Sequence, residues 1–183
     1  MEEYKRVHER QVIAKVLRTG KWQAPQGNEV EINFDGASNR ERTIAGIGVI
    51  ARHNKGEVLG SLCSTAARIR DPEIIEGLAA VKAAEYARML GFRRVILEGD
   101  ALGFITQLAQ DQGNNLFAVW NLVTDTRKML NHMAGWSCSH FDREANGAAH
   151  KLERMAVDNL ESSTWNGGYP DHIPDIVFHE NHF

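Results

Sequence analysis

The amino-acid sequence predicts an α/β fold, with a five-stranded mixed β-sheet and helices on both of its faces. Two observations support this prediction. Three strand-like segments follow one another with tight or polar connections, which is typical of an antiparallel meander. After residue 72 the period of the apolar pattern changes, and helical segments alternate with strand-like ones, which indicates a mixed sheet with helices on its faces. A length of 183 residues suits one such domain.

The first strand of the meander is predicted within EVEINFDGAS, residues 29–38, where apolar and polar residues alternate strictly. A period of two indicates a half-buried strand. Its apolar side consists of Val30, Ile32 and Phe34. Asp35 is the last polar residue of the strand, and Gly36 after it predicts a turn.

The second strand is predicted over GIGVIARH at residues 46–53, and the third over VLGSLCSTA at residues 58–66. Turn-forming residues 54–56 separate them. The letters GIGVIA match the dinucleotide-binding pattern G-x-G-x-x-G/A. That pattern must open a helix after a strand, whereas this copy lies inside a strand, so no dinucleotide site is expected.

The first helix is predicted over residues 73–90 and is closed by Gly91. Its apolar positions fall on one helical stripe. The stripe consists of Ile75, Leu78, Ala79, Tyr86, Met89 and Leu90. The fourth strand is predicted over FRRVILEGD, residues 92–100, because the run is β-branched and of strand length.

Two helices are predicted next, over residues 101–110 and about 117–133. WSCSHFDR at residues 136–143 supplies a fifth strand. The stretch from residue 146 to 162 predicts a last helix with Asn146 as its N-cap. The predicted element order is therefore βββαβααβα.

The core domain is predicted to span residues 22–164, with an extension at each end. Residues 1–21 carry a weak helical pattern and are predicted to form an N-terminal helical extension. The tail, residues 165–183, mixes glycine, proline and aromatic residues. It is expected to lie over the domain without a helix of its own.

Composition is typical of a folded protein and excludes several classes. A hydrophobic content of 43% and a charged content of 25% lie close to globular averages. The net charge of -3 gives no global attraction for nucleic acid, so any such binding needs a local basic patch. No secretory signal or membrane-length apolar run occurs, so we expect an intracellular protein, nuclear or cytoplasmic, without membrane association. Cys63 and Cys138 lack CxxC spacing, so we expect free thiols.

Three acids stand at the ends of predicted elements. Asp35 ends the first strand, Glu76 lies near the start of the first helix, and Asp100 ends the fourth strand. Singly, each has a structural explanation, as a turn former, a residue favoured by the helix dipole, or an N-cap. If the first and fourth strands are neighbours, the three carboxylates converge and repel one another. A divalent cation, Mg²⁺ or Mn²⁺, would offset that repulsion, and paired ions of this kind drive displacement at phosphorus.

The element order and several motifs resemble a type 1 ribonuclease H domain, especially the reverse-transcriptase-derived form widespread in plants. The resemblance spans about residues 22–163. It rests on W-x-x-P-x-G before N-x-D-G-A, on A-G-I-G-V-I, on Glu76 well before Gly91, on L-E-G-D, and on R-E-A-N-x-x-A-H at residues 143–150. It implies the strand order 3-2-1-4-5 with strand 2 antiparallel, which would place the two cysteines on opposite edges of the sheet.

In this family, three acids bind two Mg²⁺ ions that cleave the RNA strand of an RNA/DNA hybrid. The resemblance assigns these ions, Mg²⁺ or Mn²⁺, to Asp35, Glu76 and Asp100. It matches His140 to a mobile histidine that moves protons or helps the product leave. The fourth metal carboxylate of the family falls on His150, whose imidazole suits Mn²⁺ better than Mg²⁺. The alternative for His150 is a solvated helix residue.

Nucleic-acid contacts differ from those of hybrid-cleaving relatives. Residues 71–73, Asp-Pro-Glu, stand where a Thr-Asn-Asn run contacts phosphate and sugar, and two acids there repel phosphate. Between the fourth and fifth strands, where some relatives carry a basic projection, this chain offers little more than Arg127 and Lys128. Trp120 and Trp136 either stack on bases or belong to the core. The candidate backbone contacts are Arg40, Arg42, Arg68, Arg70, Arg93 and Arg94.

The leading hypothesis from the sequence is a metal-dependent endonuclease that acts on RNA/DNA hybrids or other nucleic acid. The rival is a catalytically weak or inactive ribonuclease H-like module that binds nucleic acid or a protein partner. His150 and the acidic residues 71–73 favour the rival. An exonuclease-like use of the same fold agrees less well with the order of the motifs.

Overall fold

A seven-stranded mixed β-sheet forms the centre of the computed structural model, which describes residues 14–18, 22–39, 44–67, 69–110 and 117–182. The strands are β1 Ala14–Arg18, β2 Val30–Asn39, β3 Ile44–Arg52, β4 Val58–Ala67, β5 Arg94–Gly99, β6 Gly135–Phe141 and β7 Ser163–Asn166. The helices are α1 Pro72–Met89, α2 Leu102–Gln110, α3 Phe117–Leu130, α4 Gly147–Asn159 and α5 Pro174–His182. None of these helices combines the length and apolarity that a membrane crossing requires.

The five central strands confirm the predicted order and orientation. β2, β3 and β4 form the antiparallel meander, while β2 pairs parallel with β5 and β5 pairs parallel with β6. From β4 to β6 this is the order 3-2-1-4-5. Cys63 on β4 and Cys138 on β6 are free and buried on opposite sides of the sheet centre. The register pairs Asn33 with Glu98, so Asp35 and Asp100, two residues further along, lie level.

Segments at the two predicted limits of the core domain add a strand to each side of the five-stranded sheet. Ala14–Arg18 belongs to the predicted N-terminal helix but forms β1, which pairs parallel with β6. Residues 1–13 and 19–21 of that predicted helical extension lie outside the described residues. Ser163–Asn166 forms β7 beside β4, and the tail contains α5, although no tail helix was expected. Backbone pairing along an open sheet edge outweighs a weak local helical pattern.

β2 is longer and more buried than its alternating pattern predicts. It continues through Asp35 and Gly36 to Asn39, so the predicted turn at Gly36 is wrong. Its polar face is covered as well, because Glu31 and Asn33 are both fully buried. A Cβ atom at Gly36 would lie 2.9 Å from the backbone oxygen of Ile75. Glycine at this position therefore allows α1 to approach the strand closely.

Helices cover both faces of the sheet, with a separate apolar core on each. α1, α2 and α3 pack on the face that carries Ile32 and Phe34. α4 and α5 pack on the face that carries Ile50 and Cys63. The buried side of α1 is made mainly of small residues, so the predicted stripe is partly wrong, and Met89 is 62% exposed.

α4 lies directly against β3 at two glycines. A Cβ atom at Gly48 would be 2.5 Å from the backbone nitrogen of Glu153 and would also collide with the carbonyl oxygen of Ala149. A Cβ atom at Gly46 would be 2.7 Å from Cγ2 of Val157. The glycines of the GIGVIA stretch are therefore explained by this helix contact, which is consistent with discarding the dinucleotide site.

We expect Gly48→Ala to lower the free energy of unfolding by roughly 1–3 kcal/mol, the usual cost of overpacking, because the α4 backbone must move to admit the methyl group. Urea denaturation measures the change. Gly103→Ala on α2 is the matched control, because a Cβ atom there meets nothing within 4 Å. Equal stability of the two variants would contradict the close contact.

Candidate metal centre

Three carboxylates converge at one end of the sheet. They belong to Asp35 on β2, Glu76 near the start of α1, and Asp100 immediately after β5. One oxygen from each residue lies within 4.8 Å of the others. The parallel register of β2 and β5 aligns the two aspartates, and the close approach of α1 at Gly36 brings in Glu76. The structure thus brings together the three acids that the sequence singled out.

Burial and mutual repulsion make the charged form of this cluster costly. The pKa of Glu76 is raised to about 9, first by burial and then by the charges of Asp100 and Asp35. The pKa of Asp100 is also raised, by burial and then by Asp35. Oε2 of Glu76 is buried without a hydrogen-bond partner among the described residues. An unpaired carboxylate oxygen among like charges fits a hard divalent cation, which prefers oxygen ligands.

His150 faces this site and is not a solvated helix residue. Its Nδ1 atom lies 2.8 Å from Oδ2 of Asp35 and 3.4 Å from Oε2 of Glu153. Asp35, His150 and Glu153 form a second group whose ligand atoms lie within 4.8 Å of one another. Asp35 belongs to both groups and therefore connects them.

Glu153 is the residue of this site that the sequence analysis missed. It is only 3% exposed, and burial followed by repulsion from Asp35 raises its pKa to about 7. Its spacing from His150 is three residues, which places both side chains on the same face of α4. That spacing was the available signal, but acids at such positions are common on solvated helices.

His140 lies on β6 beside the acid cluster. Its Nε2 atom is 3.0 Å from the backbone oxygen of Asp100, and its Nδ1 atom is buried without a partner among the described groups. Within the described ranges, the two groups of possible metal ligands do not include it. The structure therefore places His140 next to the cluster but outside the ligand sets.

The start of α4 is held by residues on three other elements. Asn146 is its N-cap residue, as predicted, but its side chain makes no capping bond and instead donates to the backbone oxygen of Phe34 over 2.8 Å. Glu180 of α5 accepts from the backbone N–H of Ala148 at 3.0 Å and from Nη1 of Arg52 at 2.7 Å. The tail helix, which the sequence analysis did not predict, thus helps to position the helix that carries His150.

A buried polar layer continues from Asp35 along the same face of the sheet. Arg52 donates to Oδ1 of Asn33 at 2.5 Å and stacks over the ring of Trp22 at 4.4 Å. The Trp22 indole donates to Glu31. Burial and then the charge of Glu98 raise the pKa of Glu31 to about 8. Trp22 of the W-x-x-P-x-G motif therefore has a structural role.

The predicted nucleic-acid contacts are only partly close to the site. Arg93 and Arg94 are exposed but lie at the start of β5, at the opposite end from Asp100. Arg127 donates to the backbone oxygen of Leu108 and lies over the ring of Trp136. Trp136 belongs to the apolar core, and the partly buried Trp120 packs against that core. Arg40, Arg42 and Arg68 lie outside the described residues.

The surface before α1, beside the three acids, repels phosphate less than the sequence indicated. Arg70 is exposed just before α1. The Asp71 carboxylate caps α1 by accepting from the backbone N–H groups of Glu73 and Ile74. Its negative charge is therefore partly offset by the positive end of the helix dipole.

Two clefts adjoin the ligand groups. A cleft of about 570 Å³ lies beside His150 and Glu153 and is also lined by Arg143 and Arg154. A second cleft, of about 320 Å³, lies beside Glu76 and Asp100. Both ligand groups are thus open to solvent on one side, and the larger cleft carries two cationic side chains.

Comparisons with known proteins agree with this architecture. The family model described as reverse transcriptase-like matches residues 33–156. Ribonuclease H1 of the halophilic archaeon Halobacterium salinarum aligns with a TM-score of 0.67 and 27% identity, over 72% of this chain and 98% of that one. The N-terminal ribonuclease H domain of a Mycobacterium tuberculosis protein aligns with a TM-score of 0.66 and 18% identity, over 73% and 96%.

A third similar structure comes from a compost metagenome. LC11-RNase H1, solved in complex with an RNA/DNA hybrid, aligns with a TM-score of 0.66 and 20% identity, over 72% of this chain and 99% of that one. Among curated proteins, no sequence matches this chain significantly.

The raised pKa values predict that the metal-free protein becomes less stable as pH rises from about 6 to about 8. A carboxyl group whose pKa is higher in the folded state binds more protons there than in the unfolded state. Its contribution to the free energy of unfolding is therefore complete below the unfolded-state pKa and is lost as the pH rises through the folded-state pKa. For Glu76 that window runs from 4.5 to about 9. Thermal unfolding in a chelator measures the trend.

Glu76→Gln should flatten this pH dependence because it removes the titrating group without removing much volume. Glu85→Gln is the control, since Glu85 is an exposed residue of the same helix that pairs with Lys82. A pH dependence that is the same in Glu76→Gln and in the parent would refute the assignment to Glu76.

Proposed function

The chain belongs to the reverse transcriptase-like family of ribonuclease H-like domains, and we propose that it is a metal-dependent endonuclease that cleaves the RNA strand of RNA/DNA hybrids. The observation that carries this proposal is the convergence of Asp35, Glu76 and Asp100 at one sheet end. The hybrid bound by LC11-RNase H1, which has the same fold, supports the choice of substrate.

In the proposed mechanism, Asp35 is the ligand common to two ion positions, because it belongs to both ligand groups. Glu76 and Asp100 would complete one position, and His150 would contribute to the other. When bound, divalent ions would supply activation of a water molecule and stabilisation of negative charge at the phosphate. Burial of the carboxylates strengthens their interaction with a cation because little water screens it.

His140 is proposed to carry a proton or to assist product release. Its ring is held by a single hydrogen bond to the backbone oxygen of Asp100, and Nδ1 has no partner among the described groups. Among the described groups, movement of the ring away from the strand breaks this one hydrogen bond. This arrangement supports the role that the family resemblance implies.

Arg143 and Arg154 are proposed to contact the phosphate backbone. They line the larger cleft, and the charge of Arg143 opposes part of the increase that burial and then Asp35 cause in the pKa values of Asp100 and Glu153. A local cationic surface of this kind is what a chain with a net charge of -3 needs to bind a polyanion.

The second candidate function is a catalytically weak module that binds nucleic acid or a protein partner. It is favoured by His150, which stands where the family carries a carboxylate, and by the acids at residues 71–73. Nuclear or cytoplasmic location is part of both proposals. Cleavage and binding assays separate the two.

The parent should cleave the RNA strand of an end-labelled hybrid with Mn²⁺ or Mg²⁺, and Asp35→Asn should lower the rate at least about 100-fold. Mutation of a residue that only hydrogen-bonds to a metal ligand already changes activity about 10- to 100-fold, and Asp35 would contact both ions itself. Asp125→Asn, at an exposed ion pair on α3, is the control. No cleavage by folded parent with either metal would reject the nuclease and favour the binding module.

Hybrid binding in a chelator should weaken steeply with salt, because phosphate contacts release counterions. Arg143→Ala and Arg154→Ala should each reduce the salt slope by about one unit. Arg94→Ala, at the far end of β5, should leave it unchanged. Fluorescence anisotropy measures these affinities, and an absence of hybrid binding even at low salt would favour a protein partner.

A further inference from the structure

Glu153 is a buried acid to which neither the sequence motifs nor the family resemblance gives a role. It is 3% exposed, and its Oε2 atom has no hydrogen-bond partner among the described residues. That atom lies 3.4 Å from Nδ1 of His150, and one carboxylate oxygen of Glu153 lies within 4.8 Å of an oxygen of Asp35. A buried carboxylate oxygen that lacks a donor is costly, and a cation held jointly with His150 and Asp35 would offset that cost.

We propose that Glu153 is a metal ligand and that Asp35, His150 and Glu153 together select Mn²⁺ or Zn²⁺ over Mg²⁺. The inference deepens the proposed function, because this site would hold one of the two ions of the nuclease. It adds a carboxylate ligand one turn beyond the position of the missing acid, while the imidazole of His150 provides the selectivity.

The spacing of the three ligand atoms suits a single ion. Ligands that are about 2.1 Å from a tetrahedral or octahedral ion are about 3.0–3.4 Å from one another. Nδ1 of His150 lies 2.8 Å from the Asp35 oxygen and 3.4 Å from the Glu153 oxygen. Both distances from His150 are therefore close to those around an ion, and an oxygen of Asp35 and one of Glu153 lie within 4.8 Å of each other.

The negative charge of the site is also maintained. A histidine at position 150 supplies one negative charge fewer than a carboxylate would. Glu153, on the same face of α4, supplies that charge again, so Asp35 and Glu153 together still carry two. The set differs from an all-oxygen site only by its imidazole nitrogen, a donor that suits Mn²⁺ and Zn²⁺ and suits Mg²⁺ poorly.

The competing arrangement is an imidazolium of His150 held between two carboxylates, which would satisfy all three groups without a metal. The two arrangements differ in their response to added ions. The cleft lined by Arg143 and Arg154 gives an ion a path from solvent to these residues. Metal binding by the metal-free protein therefore decides between them.

Cobalt(II) is a suitable probe because its visible absorption changes when a nitrogen ligand binds, and calorimetry with Zn²⁺, Mn²⁺ and Mg²⁺ gives the affinities. Glu153→Gln should weaken Zn²⁺ and Mn²⁺ binding at least about 10-fold. Mutation of a residue that only hydrogen-bonds to a metal ligand already causes a loss of this size. Glu85→Gln is the matched control, because Glu85 pairs with Lys82 on α1 and is not in either ligand group. Circular dichroism establishes that each variant is folded.

His150→Asp provides a second arm if Glu153→Gln does not fold. It should remove the nitrogen-dependent cobalt absorption, lower Zn²⁺ affinity and raise Mg²⁺ affinity. Unchanged Zn²⁺ and Mn²⁺ affinities in folded Glu153→Gln, or no nitrogen-dependent absorption in the parent, would overturn the inference and support the imidazolium arrangement.

Hybrid cleavage is measured separately, so the two proposals can fail independently. A parent that cleaves hybrid while Glu153→Gln binds all ions normally would retain the nuclease and overturn the Glu153 site. A parent that binds Zn²⁺ through Glu153 but cleaves no hybrid would support the site and overturn the nuclease.

Discussion

The close contact of two helices with the sheet at glycine residues controls the geometry of this protein. At Gly48, α4 lies on β3 so closely that no side chain can stand between them, and at Gly36, α1 approaches β2 in the same way. Asp35 lies on the strand between these contacts. It therefore meets Glu76 from one helix and His150 from the other.

These contacts concentrate negative charge in a poorly solvated region, and the surrounding structure compensates only part of it. Arg52 interacts with Asn33 and Glu180, and the start of α4 donates to Glu180. At the sheet end, by contrast, oxygens of Glu76 and Glu153 have no donors among the described groups. Oε2 of Glu31 and Nε of Arg52 in the structural layer also lack partners among the described groups, but the oxygens at the sheet end differ in belonging to the two groups of possible metal ligands.

Much of the fold could be predicted because the segments have clear periods, and the order of the central strands followed from the family resemblance. The burial of Glu31 could not be predicted, since an alternating strand gives no sign that Arg52 and Trp22 cover its polar side. β1 and α5 were missed because they depend on pairing and packing with distant segments. Asp35, Glu76 and Asp100 stand out in the sequence because they fall near the ends of predicted elements, whereas Glu153 lies inside an ordinary amphipathic helix.

The position of Glu180 bears on how this domain can be divided or transplanted. The family model matches residues 33–156, yet Glu180 holds both Arg52 and the first turn of α4 from well beyond that limit. A segment cut at the family boundaries would lose these anchors and the strands β1 and β7 at the sheet edges. As a module for fusion or exchange between proteins, the unit that must be moved intact is longer than the signature by which it is recognised.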